Sequence, residues 1–318
     1  SVRVSRKNWR NSSGGSCFDV AGWPSSVMGE STLVDTFPAF LVFWEKAQHL
    51  PLDAQIEGWA SDYMAQWPEL LEKQIHSYAE DGDDWRVVAR ERVAPFWAER
   101  LPSMRRAHEN LLRVCTAVYE RAQAILGFSQ PLTFVIYVGI GCGAGWATTY
   151  QDNAAILFGL ENIAEEGWDD AVVLRGMIAH EIGHLWHFEQ RAGPGLAPGK
   201  GPWWDLYTEG LAQRCEHVIA GEESWHMAAQ YEDWAQWCAQ ETPWLAREFL
   251  RVVEAGSDVR PFFGSWFAIR GHKQTGYFLG CEVIRRLEAQ MTLREIALLE
   301  DVEAVCSEIL RIIGDCKN

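Results

Sequence analysis

Two histidines and a glutamate lie close together near the middle of the chain, in a pattern that could bind a metal ion. The stretch 180–184 reads His-Glu-Ile-Gly-His. Residues four apart in an α-helix lie one turn above each other, so His180 and His184 could reach one ion while Glu181 lies beside it. In helices with this pattern the histidines bind zinc and the glutamate acts as a general base. The spacing therefore predicts a zinc-dependent hydrolytic site.

The residues around this motif predict the helix that the chemistry needs. The helical pattern runs from about residue 169 to 190 and begins with two acidic residues, which suit a helix N-terminus. Its apolar stripe at helical spacing consists of Leu174, Ile178, Ile182 and Leu185. The histidines lie on a different stripe, which we expect to face a cleft. Gly183 costs about 1 kcal/mol relative to alanine inside a helix, so we expect a neighbouring strand or a bound substrate to approach it closely.

A catalytic zinc site usually has three protein ligands and one water, so a third ligand is needed. His187 cannot be that ligand, because it lies about 10.5 Å from His180 along the helix axis and zinc–nitrogen bonds are only about 2.0–2.1 Å long. The stretch 192–202 contains four glycines and three prolines, so the chain must turn there. A second helical pattern starts near Trp203, and an antiparallel partner helix would bring Glu209 back to the histidines. We therefore expect Glu209 to be the third ligand.

These blocks resemble the gluzincin clan of zinc metallopeptidases, in which a helical HExxH is followed by a glutamate that supplies the third ligand. The resemblance covers roughly residues 100 to 300 and rests on three segments in the expected order. The segments are Ile178–His184, Tyr207–Ala212 and Gln274–Gly280. More narrowly, they are similar to a family of predicted zinc-dependent proteases of unassigned function. The resemblance implies one zinc ion, held by the two histidines and Glu209, and hydrolysis of peptide or other amide bonds.

The residue types at this site define the chemistry that it could perform. Two neutral imidazoles and one carboxylate leave a zinc ion with net positive charge, which lowers the pKa of its bound water towards about 7 and polarises a substrate carbonyl. Glu181 would then take the water proton and pass it to the leaving amine, without binding zinc itself. The tetrahedral intermediate also needs a donor for its oxyanion. The gluzincin resemblance implies Tyr277 for this role, with His272 as the alternative.

Several other side chains could lie near the site. Gln213 and Glu216 could each orient a metal-bound histidine, and the sequence does not choose between them. Tyr207 could be a further donor or a part of the aromatic core. His217 and His226 have no ligand spacing, so we interpret them as structural.

A small β-sheet is predicted before the metal-binding helix. Leu132–Val138 is rich in β-branched and aromatic residues, and the glycines after it indicate a flexible loop. Trp146–Tyr150 and Ala154–Phe158 are separated by a short polar stretch that suits a hairpin. In the clan that the chain resembles, a strand near the metal helix often pairs with an extended substrate at its edge. By analogy, the second hairpin strand would bind substrate, although an interior position is the alternative; the residues in question are Ala154, Ile156 and Phe158.

The complete pattern predicts an α+β fold that is predominantly helical. We expect a disordered leader at residues 1–30, of which residues 1–16 are rich in Ser, Asn, Gly and basic residues. A helical N-terminal layer at 31–127 would precede a zincin-like catalytic region at 128–318, which holds the small sheet and the HExxH helix. The two regions could also form one continuous domain. Further helical patterns lie at 105–126, 225–254, 277–290 and 301–313.

Charge and cysteine usage narrow the functional classes. The net charge of −16 argues against broad nucleic-acid binding, because a phosphate backbone favours a basic surface. No apolar run approaches the roughly 20 residues that span a bilayer. The eight cysteines are dispersed without a C-x-x-C pair, as in reduced proteins, and Cys142 in the glycine-rich loop is the one candidate for a catalytic cysteine. We therefore expect a cytoplasmic protein that acts on a peptide or protein substrate and binds neither nucleic acid nor membrane.

Two functions from different classes fit these patterns. The first is a zinc metallopeptidase or related amide hydrolase. The second is a non-catalytic binding or regulatory protein that keeps the zincin fold. Glu181 favours the enzyme, because a purely structural zinc ion has no use for a base. A closed fourth coordination position, or a cleft blocked by aromatic side chains, would favour the binding protein.

Overall fold

The computed structural model describes residues 29–80, 82–229, 231–264 and 266–315. These residues form an α+β fold that is mostly helical, with one four-stranded mixed sheet. The predicted class is therefore confirmed. The disordered leader predicted at residues 1–30 lies, apart from its last two positions, outside the described residues.

The chain divides into two compact units, each assembled from separate stretches of sequence. The described residues of Met28–Ala117 and Gln130–Leu174 belong to the first unit. Val118–Ser129 and the described residues of Arg175–Asn318 belong to the second. The N-terminal region contains the predicted helices and also contributes one strand to the sheet. That strand was not predicted from the sequence.

The sheet lies in the first unit and has the strand order β1-β2-β4-β3. Its strands are β1 (Ser31–Asp35), β2 (Leu132–Tyr137), β3 (Trp146–Tyr150) and β4 (Asn153–Gly159). β2 is parallel to β1 and to β4, whereas β3 and β4 are antiparallel. The predicted hairpin is confirmed, and its turn residues Gln151 and Asp152 both have positive φ, 50° and 61°, as a two-residue type I′ turn requires.

The substrate-binding edge expected at the second hairpin strand is wrong. β4 pairs with β2 on one side and with β3 on the other, so its backbone donors and acceptors are used on both sides. The three residues proposed for substrate contact are buried in this interior strand; they are Ala154, Ile156 and Phe158. The interior alternative therefore applies, and the strand stabilises the sheet core.

The helices of the first unit follow the predicted amphipathic pattern. They are α1 (Phe37–Ala47), α2 (Leu52–Gly58), α3 (Pro68–Glu80), α4 (Trp85–Val88) and α6 (Leu160–Glu165). Short π-helical and 3₁₀ turns lie at residues 59–66 and 89–96. Two longer helices contribute residues to both units; they are α5 (Trp97–Leu126) and α7 (Ala171–Ala192).

A buried carboxylate in the first unit holds the glycine-rich loop after β2. Glu161 is 0 % exposed and accepts backbone hydrogen bonds from Gly139 at 2.7 Å and Gly141 at 3.1 Å. The side-chain oxygen of Asn162 accepts a third, from Gly143, at 3.0 Å. Burial raises the pKa of Glu161 to about 7, although the backbone hydrogen bonds lower it. The loop is thus anchored by two side chains of helix α6, which follows strand β4.

This raised pKa predicts a pH-dependent stability. The ordinary pKa of a glutamate is near 4.5, so the folded state keeps the Glu161 proton to higher pH than the unfolded state does. The contribution of Glu161 to stability should be complete below about pH 4.5 and fall by about 3 kcal/mol as the pH rises through about 7, with about 2 kcal/mol of this between pH 5.5 and 7.5. Urea unfolding at these two pH values should show that difference in the wild type and much less in Glu161→Gln. Equal pH slopes in the two proteins would contradict the assignment.

The second unit is helical in its described residues. Besides the ends of α5 and α7, its helices are α8 (Pro202–Ala220), α9 (Trp234–Glu254), α10 (Thr275–Leu287), α11 (Leu293–Ala297) and α12 (Glu303–Asp315). The predicted helices are therefore present, and α8 follows the Gly/Pro-rich turn as expected. The helix predicted from residue 225 begins only at Trp234, because His226–Ala228 forms a separate 3₁₀ turn.

Glycines let the helices of the second unit approach closely. A Cβ atom on Gly210 of α8 would overlap the backbone of Gly280 in α10, and a Cβ on Gly280 would lie 2.5 Å from the carbonyl oxygen of Leu206. A Cβ on Gly183 of α7 would lie 2.8 Å from the Cβ of Cys215 in α8. The close approach expected at Gly183 is present, and helix α8 makes it in place of the expected strand or substrate.

The crossing of α8 and α10 predicts a large packing effect of one methyl group. Gly280→Ala should lower the free energy of unfolding by about 1–3 kcal/mol, because the new methyl group meets backbone atoms that cannot rotate away. Gly314→Ala in α12 is the matched control, since an added Cβ there has no atom within 4 Å. Higher helix propensity should make this control equally or more stable, by up to about 1 kcal/mol. Urea unfolding of both variants would measure the difference, and equal stability would refute the close crossing.

The cysteines agree with the sequence analysis. Five cysteines are free thiols, and the first four of them are buried; they are Cys115, Cys215, Cys238, Cys281 and Cys306. Burial raises the pKa of the Cys115 and Cys215 thiols, which keeps them protonated and unreactive.

Within the described part of the chain, none of the helices has the length and apolar character that a membrane crossing needs.

Candidate metal centre

The three predicted ligands meet in the second unit. Helix α7 places His180 and His184 one turn apart, with their Nε2 atoms 3.2 Å from each other. Helix α8 brings Glu209 to the same point, where its Oε2 atom lies 3.1 Å from Nε2 of His180 and 3.4 Å from Nε2 of His184. His180 and Glu209 are buried and His184 is nearly so. The antiparallel pair inferred from the Gly/Pro-rich turn thus produces the expected convergence.

The spacing of these three atoms fits a tetrahedral metal ion. Two ligands of a tetrahedral ion with bonds of about 2.0–2.1 Å are about 3.3 Å apart. The three separations, 3.1, 3.2 and 3.4 Å, match that value on every side of the triangle. The second oxygen of Glu209 is buried without a hydrogen-bond partner among the described residues, so the site contains an unsatisfied acceptor that an ion could use. These side chains could therefore hold a metal ion.

The electrostatics of the triangle keep Glu209 ionised. Burial alone would raise the pKa of its carboxyl group, but the charges and hydrogen bonds of His184 and His180 outweigh burial and hold that pKa below its usual value. Burial alone would lower the pKa of His184, but the charge and hydrogen bond of Glu209 outweigh burial, so this pKa is raised. A buried carboxylate between two imidazoles is the donor set that binds a divalent cation with partial charge compensation.

Glu181 and Tyr277 flank the three converging atoms. The Tyr277 ring lies 5.4 Å from the His180 ring, centroid to centroid. Burial raises the pKa of Tyr277, and the charges of Glu209 and Glu181 raise it further, so the phenol stays protonated. The charge of Glu181 also acts on His184. Both side chains are half-buried, which leaves part of each open to solvent.

Of the two candidates for an oxyanion donor, the structure brings Tyr277 to the metal centre. It lies in the first turn of α10, which the glycine crossing with α8 holds next to Glu209. The ring of His272 instead stacks on Trp237, with centroids 3.9 Å apart. His272 is thus part of an aromatic stack with Trp237. This contact does not support the alternative in which His272 is the oxyanion donor.

Glu216 lies behind His180 on the side away from the triangle. Its Oε2 atom is 2.7 Å from Nδ1 of His226 and 3.7 Å from Nδ1 of His180. Its Oε1 atom accepts hydrogen bonds from the Ser224 hydroxyl at 2.7 Å and from the His226 backbone at 3.2 Å. Of the two residues that the sequence left open, Glu216 faces the metal-site histidine, whereas Gln213 donates to the Ser224 carbonyl.

His226 is the residue near the site whose position sequence reasoning missed. Because it has no helical spacing to residues 180–184, its sequence position predicts a structural role. In the structure its ring lies 5.1 Å from that of His180, and its Nδ1 contacts Glu216. The 3₁₀ turn His226–Ala228 carries it there. A histidine in a loop gives no periodic signal, so the sequence offered only its residue type.

Two other histidines of this region, His187 and His217, lie outside the groups of converging ligand atoms. His187 is buried, and its Nε2 atom lies 3.3 Å from the hydroxyl of Tyr207. Burial lowers the pKa of His187 to about 3, so it stays neutral. The hydroxyl of Tyr207 donates a hydrogen bond to the carbonyl of Ile296. Of its two interpretations, a donor at the site or a part of the aromatic core, this contact favours the core. His217 contacts Gln213, and its ring meets the Trp225 ring edge to face.

The function of the chain has to be argued from this site. No family model, curated protein or solved structure matches the chain. The site contains two imidazoles and a carboxylate that converge, with a second carboxylate and a protonated phenol nearby. Such a group can bind a divalent cation, move a proton and donate a hydrogen bond to developing negative charge.

Proposed function

We propose that the protein is a zinc-dependent hydrolase that cleaves peptide bonds or related amides, with a zincin-like second unit. The observation that carries this proposal is the triangle of His180, His184 and Glu209, whose edges have the length that tetrahedral zinc requires. Two nitrogen ligands and one carboxylate are the ligand set of catalytic zinc in several peptidases. The resemblance to gluzincins supports the same set.

The side chains around the triangle would share the chemical work. Zinc, when bound, supplies a Lewis acid and lowers the pKa of water. Glu181 is the base that takes a proton from the attacking water and returns it to the leaving nitrogen. Tyr277 donates its phenolic hydrogen to the substrate carbonyl oxygen as negative charge develops there. Its raised pKa supports this role, because an ionised phenol has no hydrogen to donate.

A non-catalytic binding protein is the alternative, and the ligand count argues against it. A structural zinc ion usually has four protein ligands, whereas a catalytic one has three and a water. Within the described residues, the group around His184 offers three side chains. Glu181 beside this group adds a base that a structural site does not need.

The proposal includes a peptide or protein substrate and a cytoplasmic location. The free cysteines of the described residues fit a reducing compartment. The acidic net charge of −16 disfavours nucleic acid as a partner.

Metal analysis combined with a peptide library tests the proposal. The purified protein should contain about one zinc ion per chain, as expected for a single catalytic site. It should cleave part of a library of free and end-blocked peptides, read by mass spectrometry. Removing zinc with a chelator should abolish cleavage, and adding zinc back should restore it. Cleavage that persists after complete zinc removal would refute the proposed chemistry, and zinc-loaded protein that cleaves none of the library would support the binding protein instead.

A further inference from the structure

A buried carboxylate behind His180 has no direct role in the proposed reaction. Glu216 is 0 % exposed, and its Oε2 atom lies between two imidazoles, 2.7 Å from Nδ1 of His226 and 3.7 Å from Nδ1 of His180. The Nδ1 atom of His180 is itself buried without a hydrogen-bond partner among the described residues. The carboxylate of Glu216 is thus an acceptor placed opposite the one unsatisfied nitrogen of that ring.

Two features of the sequence fix this carboxylate in place. Gly176 lies one turn before His180 on α7, and a Cβ atom there would lie 2.7 Å from Oε1 of Glu216 and 2.8 Å from the Ser224 hydroxyl. A glycine is therefore needed for the carboxylate to fit. The same Oε1 atom accepts hydrogen bonds from the Ser224 hydroxyl and the His226 backbone, so the carboxylate cannot rotate without losing them.

We propose that Glu216 and His226 are positioning residues that hold His180 as the Nδ1–H tautomer, with the Nε2 lone pair directed at the metal ion. A neutral imidazole has one N–H, and an ionised carboxylate can only accept. The His180 proton therefore belongs on Nδ1, facing Glu216, and Nε2 is left to bind the ion. His226 donates its own Nδ1–H to the same oxygen and keeps it directed at His180. This inference rests on one part of the proposed function, namely that His180, His184 and Glu209 bind a metal ion.

The same three residues could instead share a second metal ion, and one distance argues against this. His180, Glu216 and His226 do form a group with metal-ligand atoms. However, the distance of 2.7 Å between Nδ1 of His226 and Oε2 of Glu216 is a hydrogen-bond length. Two ligand atoms of a tetrahedral ion are farther apart, at about 3.3 Å. The ligand triangle keeps the larger spacing on all sides. A hydrogen-bonded pair therefore fits this geometry better than a second ion does.

The test compares zinc affinity and His180 tautomer in matched variants, without any substrate. Glu216→Gln should bind zinc about 10–100-fold more weakly than the wild type, in competition with a chromophoric chelator. Glu222→Gln makes the same change at an exposed position just after α8 and should leave the affinity unchanged. His226→Asn keeps an N–H donor near the position of Nδ1 and should stay within about threefold of the wild type, whereas His226→Leu should lose about tenfold. Long-range ¹H–¹⁵N spectra of the zinc-loaded wild type should show the His180 proton on Nδ1.

Several results would overturn the inference. Equal affinities of Glu216→Gln and Glu222→Gln, or a His180 proton on Nε2, would exclude the positioning role. Two zinc ions per chain, one of them lost in His226→Leu, would establish the second metal site instead. If Glu216→Gln does not fold by circular dichroism, the comparison of His226→Asn with His226→Leu decides. A wild type that meets these expectations but cleaves no peptide would remove the proposed function and leave this inference standing.

Discussion

Glu181→Gln should lower the rate of amide hydrolysis by about 10²–10⁴-fold and leave the metal ion in place. The substitution removes the proposed base but keeps the size and shape of the side chain. Glu181 is outside the group of converging ligand atoms, so zinc should remain bound. The measurement is kcat/KM on a peptide that the wild type cleaves, with the zinc content determined on the same sample.

The control for this prediction is Glu222→Gln, which makes the same chemical change at an exposed position. It should retain the wild-type rate and zinc content. An unchanged rate in Glu181→Gln would show that this residue is not the base. Loss of zinc together with activity would show that Glu181 supports the metal site, and the separation between ligand and base would then be wrong.

Glu209→Ala should weaken zinc binding by about 10²–10³-fold and lower the rate of hydrolysis with it. Structural zinc sites with four ligands bind with about 10–16 kcal/mol, or about 2.5–4 kcal/mol for each ligand, so the loss of one ligand corresponds to about 10²–10³-fold in affinity. The Glu209 carboxylate is also the only anionic member of the triangle. Zinc affinity by chelator competition would measure the loss, and hydrolysis should fall with the bound zinc.

Thermal unfolding provides an independent readout of the same variant. Saturating zinc should raise the Tm of the wild type, because an ion that binds the folded state stabilises it by mass action. At the same zinc concentration the Tm of Glu209→Ala should rise by less, whereas the exposed variant Glu222→Ala should respond like the wild type. A zinc-induced shift of the same size in Glu209→Ala would place the ion elsewhere in the chain.

The ligand triangle could be predicted because it depends on local rules. Helical spacing alone places His180 and His184 on one face. The Gly/Pro-rich stretch 192–202 cannot continue a helix, so the next helix returns along α7 and brings Glu209 with it. The glycine at 183 indicated a close approach, because its low helix propensity needs a reason. Which element approached could not be predicted, since this depends on the packing of α8.

Features that depend on distant parts of the chain could not be predicted. Strand β1 is short and half-exposed, and its partner β2 lies about a hundred residues further along the chain, so no local pattern distinguished it. β4 is an apolar run that fits an edge or an interior position equally well, and only the pairing with β2 and β3 decides between them. His226 reaches the metal centre through an irregular loop, whose path depends on tertiary contacts with Glu216.

Anomalous diffraction at the zinc edge, from crystals of the zinc-loaded protein, tests the central claim most directly. The proposed site predicts one strong peak at about 2.0–2.2 Å from Nε2 of His180, Nε2 of His184 and the carboxylate of Glu209, with a water as the fourth ligand. A peak at another position, or a fourth protein ligand that closes the coordination sphere, would contradict the proposal of a hydrolytic zinc centre.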